Sequence, residues 1–227
     1  MTAPKLERID GFSFYNCPAI EEINFEKLKV ISSGFSGLKS VKKMNLPLLE
    51  CVEENKPSFR DLNVQELVFP SLKKAGNGFI VQNPCLKKVF LPKLEETGIE
   101  FLSENPFLEE VDVPNLKKLK FASFKKSRRI KLLKADSLEH ISRYVDFESM
   151  LQLKKLHAPN LSFEALSLLM MGFEKMNQTG VIFEKEFSSI KEVLKNCFSL
   201  ENQVNLPQLI ARKKTFEIPC LQKTNGM

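Results

Sequence analysis

Apolar residues return along this chain at a nearly constant spacing. Ile20, Val41, Val64, Leu86, Leu108, Ile130 and Leu153 lie 21 to 23 residues apart, and each opens the same short pattern. Three and five residues further on stand Ile23/Phe25, Met44/Leu46, Leu67/Phe69, Val89/Leu91, Val111/Val113, Leu133/Ala135 and Leu156/Ala158. Apolar residues two apart, with a polar one between, predict a short strand with one face turned inward. Pro47, Pro70, Pro92, Pro114 and Pro159 then end most of these strands, because proline cannot donate to a ladder. A second apolar column follows: Leu28, Leu49, Leu72, Leu94, Leu116, Leu138 and Leu161. A phenylalanine leads into most strands (Phe14, Phe35, Phe59, Phe79, Phe101, Phe124, Phe147), and Pro4–Ile9 matches the second half of one more unit.

A unit of this length is one strand-and-turn segment that cannot bury its own apolar face and must stack on its neighbours. The expected fold is therefore a solenoid, α/β or mainly β, over residues 1–161, with a partial first repeat and seven full ones. After Leu161 the period stops. Residues 162–227 are expected to form a helical cap and tail. A first helix begins at Ser162 as N-cap. A second is expected over Phe187–Leu200, where Phe187, Ile190, Val193, Leu194, Cys197 and Phe198 share helical spacing. A third runs from Pro207 to Phe216. At the amino end Leu6 and Ile9 supply an incomplete layer. It is read as a fragment or atypical first repeat, with cover by another molecule or a fold-back of Phe12, Phe14 and Tyr15 as the other readings.

The recurring string F-x-x-N-C/P-x-L-x-x-V-x-L-P-x-L-x-x-I resembles the BspA-like class of leucine-rich repeats over roughly residues 4–161. The turn residues depart from it at Ser36-Gly37 and Arg128-Arg129. The resemblance implies a leucine-rich-repeat array that serves as a binding surface. Members bind unrelated partners, and many are bacterial surface or parasite proteins implicated in adhesion.

Charge follows the same period. The residues after the second-column leucines read Glu7, Lys29, Glu50, Lys73, Glu95, Lys117, Glu139, and the third positions of the strand pattern read Glu22, Lys43, Glu66, Lys88, Glu110, Leu132, Lys155. Stacked units lie about 4.8 Å apart along a ladder, so alternating signs make self-neutralising columns worth roughly 0.2–1 kcal/mol per pair. The fifth positions, Asn24, Asn45, Val68, Phe90, Asp112, Lys134 and His157, should point outward. Val68 and Phe90 interrupt this polar column, and Leu132 interrupts its neighbour. Apolar residues exposed among charges mark binding surfaces, so Val68, Phe90, Asp112, Leu132, Lys134 and His157 form the candidate partner-binding site.

The net charge is +6, and the one dense basic run is Lys125, Lys126, Arg128 and Arg129. It is a candidate anion site, with a solvated turn as the plainer reading. Phenylalanine dominates the aromatics (19 Phe, two Tyr, no Trp), which suits a dry interior spine. There are two histidines, in different columns, and no phosphate-loop, nucleophile-elbow or zinc-protease motif, so the chain reads as non-catalytic, without cofactor or metal. Five cysteines in no C-x-x-C spacing read as thiols of a reducing compartment, with Cys85 and Cys197 as buried structural ones. The first residues lack an apolar leader segment, so the expected location is cytoplasmic, or delivery into a host cell, or export by a signal outside this chain. The leading functional reading is a protein-interaction module, such as a bacterial effector acting as a monomer. The others are a binder of nucleic acid or acidic lipid through its basic turns, and a fragment of a surface adhesin.

Overall fold

The computed structural model describes residues 1–11, 13–53, 57–162 and 164–169, and the backbone of two further strands, Ile182–Glu184 and Thr215–Glu217. Short strands, numbered β1 to β19 in chain order, fall into three sets, one along each side of a coil. The first set carries the strands expected from the apolar pattern: β2 (Glu22–Asn24), β5 (Lys43–Asn45), β8 (Glu66–Val68), β11 (Lys88–Phe90), β13 (Glu110–Asp112), β15 (Leu132–Lys134) and β17 (Lys155–His157). In each, the middle side chain points in and its two neighbours point out. Ile23, Leu67, Val89, Val111, Leu133 and Leu156 are buried, while Met44 is half-buried. Strands from β8 to β17 pair in parallel, residue for residue, along one continuous ladder.

The second set follows the leucine column: β1 (Arg8–Ile9), β3 (Val30–Ile31), β6 (Cys51–Val52), β9 (Lys74–Ala75), β12 (Glu96–Thr97), β14 (Lys118–Leu119) and β16 (His140–Ile141). The third is shorter: β4 (Phe35–Ser36), β7 (Phe59–Arg60) and β10 (Ile80–Val81). Two ladders are interrupted. On the first side β5 and β8 are not hydrogen-bonded to each other, and on the second side β12 and β14 are not.

The interior is a stack of the predicted columns. All seven leucines from Leu28 to Leu161 are buried, as are Phe25, Phe35, Phe59, Phe69, Phe79, Phe101 and Phe124. Each such burial is worth about 1.5–3 kcal/mol relative to exposure, so the repeat stands only because its neighbours cover it. Rings stack along the coil from Phe14 to Phe35 (5.4 Å) and Phe35 to Phe59 (5.5 Å), and Phe59 meets Phe79 edge to face (5.3 Å). Past β10 the third side changes to tight turns. Glu100, Leu102 and Glu104 hold positive φ of 57°, 59° and 57°, and Ala122, Phe124 and Lys126 repeat this one turn later at 54°, 67° and 61°. Such a backbone costs about 1 kcal/mol or more per non-glycine residue and is held because each turn templates the next: the Glu100 amide donates to the Phe121 carbonyl and the Glu104 amide to that of Lys125.

Inside this side runs a polar ladder. Asn83 and Asn105 are wholly buried, as is Ser127. Asn105 Oδ1 accepts from the Asn83 backbone N–H at 3.0 Å and from its Nδ2 at 3.2 Å, while Asn105 Nδ2 donates to the Ile80 carbonyl at 3.0 Å. Ser127 Oγ takes over in the next turn, accepting from the Asn105 amide at 3.0 Å and donating to the Leu102 carbonyl at 2.7 Å. The turn residue that departs from the repeat pattern is thus Ser127, one place before the Arg128-Arg129 pair, and it does an asparagine's work with a hydroxyl.

The amino end completes its layer in part. Thr2 bridges to Asn24, β1 pairs with β3, and Phe14 packs on Phe25 and Phe35, while Tyr15 is exposed. At the other end the Ser162 hydroxyl accepts from the Ala165 amide at 3.2 Å and caps a helix over 164–169. The expected helix over Phe187–Leu200 lies outside the described residues. Of the third expected helix, residues 207–214 lie outside the described ones and its end needs correction: Thr215–Glu217 is strand β19, antiparallel to β18 (Ile182–Glu184), which itself continues the long ladder beyond β17. A sheet edge offers backbone groups to a further strand, and at the edge of β18 a Thr-Phe-Glu segment suits that ladder better than a helix end.

Candidate functional site

The six residues singled out from the repeat pattern share one sheet face. Val68, Phe90, Asp112, Lys134 and His157 occupy one row across five hydrogen-bonded strands, each opposite the next in register. Leu132 stands in the neighbouring row between Glu110 and Lys155. The three-residue strand explains this: only its middle side chain reaches the core, so both flanking positions face solvent. Val68 and Phe90 are 38% and 39% exposed, high for large apolar side chains on a sheet. Leu132 is half-buried.

Much of the charge on the face is internally paired. Lys134 Nζ lies 3.4 Å from Asp112, Lys88 Nζ 2.9 Å from Glu110, and Lys43 Nζ 3.4 Å from Glu22. The hydrogen bond to Glu110 holds the Lys88 ammonium above the usual lysine range. His157 Nε2 sits 3.1 Å from Asp136. At the far end Asn45 Nδ2 donates to Asn24 Oδ1 at 2.7 Å. On the second side the alternating column pairs in its first half, with Lys29 3.4 Å from Glu7 and Lys73 3.4 Å from Glu50. Among these paired charges stand the apolar residues of the first face: the Val68–Phe90 pair, with Leu132 two strands away from Phe90.

The four cations of the basic run are not gathered into one site. Lys126 reaches Glu104 at 3.0 Å, Arg128 reaches Glu148 at 3.2 Å, and the Arg129 guanidinium lies 4.5 Å from the centre of the Phe107 ring. Lys125 is exposed. Gln82 and Lys126 together donate to Glu104 and hold its carboxyl below the usual range. Cys85 is half-buried rather than buried, because its turn position lies at the rim of the coil. Among the described residues no three His, Cys, Asp or Glu side chains converge as metal ligands, and no helix is long and apolar enough to cross a membrane.

Two groups escaped the sequence reading. The buried Asn83–Asn105–Ser127 ladder carried a signal, the 22-residue spacing of short polar residues, but Ser127 hid it by being a different residue type. The second group is a column of exposed apolar residues, Ile99, Phe121 and Tyr144, on the side of the tight turns. Their spacing of 22 and 23 residues matches the repeat, yet they sit in turns where the strand pattern gives no facing.

Parallel strands stacked in register, a buried leucine column and an internal asparagine ladder define a leucine-rich-repeat solenoid. The chain belongs to the BspA-type leucine-rich-repeat family, whose model matches in six copies over residues 7–131. No curated protein has a sequence matching this chain. Among solved structures it is similar to the pneumococcal vaccine antigen PcpA, at 17% identity and a TM-score of 0.38, over 69% of this chain and 55% of that one. It is also similar to a leucine-rich-repeat protein from Bacteroides ovatus, at 15% identity and a TM-score of 0.40, over 80% of this chain and 58% of that one. The chain thus spans little more than half the length of each of these two structures.

Proposed function

We propose that this protein is a non-catalytic interaction module whose first sheet face binds another protein, with Val68 and Phe90 as the central apolar contact. One observation carries the reading. On a face whose charges neutralise one another from turn to turn, the side-by-side pair Val68 and Phe90 is exposed with nothing apolar above it. Burying such a pair in an interface is favourable, while the surrounding paired charges set a polar rim. Membership of a repeat family built around extended surfaces agrees with a binding role. The basic run supports an anion-surface role less well, since three of its four cations already have partners within the chain.

The test is a pull-down from cell lysate with wild type and a Val68→Glu/Phe90→Lys double variant. The opposite charges avoid placing like charges in register, so circular dichroism melts of the two should agree closely. A protein retained by wild type and lost from the variant supports the reading. Equal retention of every bound protein sinks it.

A further inference from the structure

The Ile99–Phe121–Tyr144 column lies on the side of the tight turns, away from the Val68–Phe90 face. The three residues sit in successive turns tied by backbone hydrogen bonds. The Glu100 amide donates to the Phe121 carbonyl at 2.9 Å and the Ala122 amide to the Tyr144 carbonyl at 3.2 Å. Their side chains are 41%, 50% and 64% exposed, rising along the column. Phe121 and Tyr144 meet edge to face with ring centres 6.1 Å apart, which fixes both rings as one platform.

Tyr144 also forms one wall of a groove of about 260 Å³, whose polar lining includes Lys118, His140, Arg143 and Glu164. The charge around this ridge breaks the rule followed elsewhere. On the ladders most cations face a carboxylate of the adjacent turn, as in Lys29–Glu7, Lys73–Glu50 and Lys88–Glu110. Among the described residues Lys118 and Arg143 in the groove, and Lys120 beside Phe121, make no ion pair, and Glu164 is the one carboxylate of the described groove lining. The result is an aromatic ridge beside a cationic groove whose charge the described residues do not neutralise.

We infer that this ridge and groove form a second docking surface, for an extended acidic segment of a partner protein carrying an aromatic or aliphatic side chain among its carboxylates. The apolar side chain would lie on the Phe121–Tyr144 platform, where burial drives association, and the carboxylates would reach Lys118, Lys120 and Arg143. This inference is independent of the Val68–Phe90 reading, because it uses other residues on another side of the coil.

The probe is a display library of random twelve-residue peptides panned on the intact wild-type chain, followed by fluorescence polarisation with the best peptide. Enriched peptides should place acidic residues within a few positions of an aromatic or aliphatic one. Phe121→Ser/Tyr144→Ser and Lys118→Glu/Arg143→Glu should each weaken binding at least about tenfold, whereas Val68→Glu/Phe90→Lys should leave it unchanged. All the substituted side chains are exposed, so melts of the variants should match wild type. In the peptide assay the inference is overturned by no enrichment, by enrichment of basic or neutral peptides, by equal binding when serine replaces the peptide's apolar residues, or by indifference to the ridge variant. The third would make the groove a plain anion surface. A wild-type dimer in sedimentation that the ridge variant abolishes also overturns it, by making the ridge a contact between copies of this chain.

Discussion

Asn105 concentrates the cost of this fold in one side chain. It is wholly buried, its oxygen serves the amide and side chain of Asn83, and its nitrogen serves the carbonyl of Ile80. A leucine in the neighbouring column contributes by area alone and could be replaced by another apolar residue of similar size at small cost. Asn105 could not, because its removal strands polar groups that the coil seals from water. An Asn105→Ala variant is expected to lose about 3 kcal/mol, read as a lowered urea midpoint, since each abandoned buried group costs about 1–3 kcal/mol. Among the described residues the side-chain accounting is otherwise nearly closed, with the Thr97 hydroxyl the one buried side-chain group lacking a partner.

At the scale of the element, the unit of stability is the pairing of one turn with the next. Glu104 shows it best: it accepts from Gln82 in the turn before at 2.7 Å and from Lys126 in the turn after at 3.0 Å. Both bonds favour the ionised carboxylate, so its folded pKa is depressed. The unfolded chain binds that proton more readily. This stabilisation is therefore complete above the unfolded glutamate pKa of about 4.3 and fades as pH falls through the lower folded value. Glu104→Gln should lower the neutral plateau of a stability–pH profile, flatten its acid limb and leave its most acid end comparatively little changed. Urea melts across that acid range check it.

The elements also divide into those a reader of residues can foresee and those that need the coil. The first-side strands were legible because Leu67, Val89 and Val111 alternate with charges and prolines close the run. The buried leucines were legible for the same reason, and so were the outward positions of Val68 and Phe90. The second and third sets were not, since a two-residue strand has no period of its own and exists only where a neighbour holds it. The Phe121–Tyr144 platform was hidden likewise, because facing within a tight turn is set by positive φ rather than by alternation. Thr215 and Phe216 read as a helix end for want of their partner, the edge of the long sheet.

For the whole molecule, the two interrupted ladders have a mechanical meaning. At the first interruption, between β5 and β8, the Leu46 amide has no acceptor in the next turn, while its counterparts Phe25, Phe69, Leu91, Val113 and Ala135 all donate there. At the second, between β12 and β14, the Lys117 amide lacks the bond that Lys73, Glu95 and Glu139 make to the turn before. These two amides should therefore exchange with solvent deuterium faster than Leu91 and Glu95, a difference that amide-resolved exchange would read. The two seams do not coincide: β6 and β9 remain bonded behind the first, and β11 and β13 behind the second. The solenoid is laid like brickwork with staggered joints. Each joint lets the rod give a little toward one side, and the unbroken course behind it stops a crack from running through.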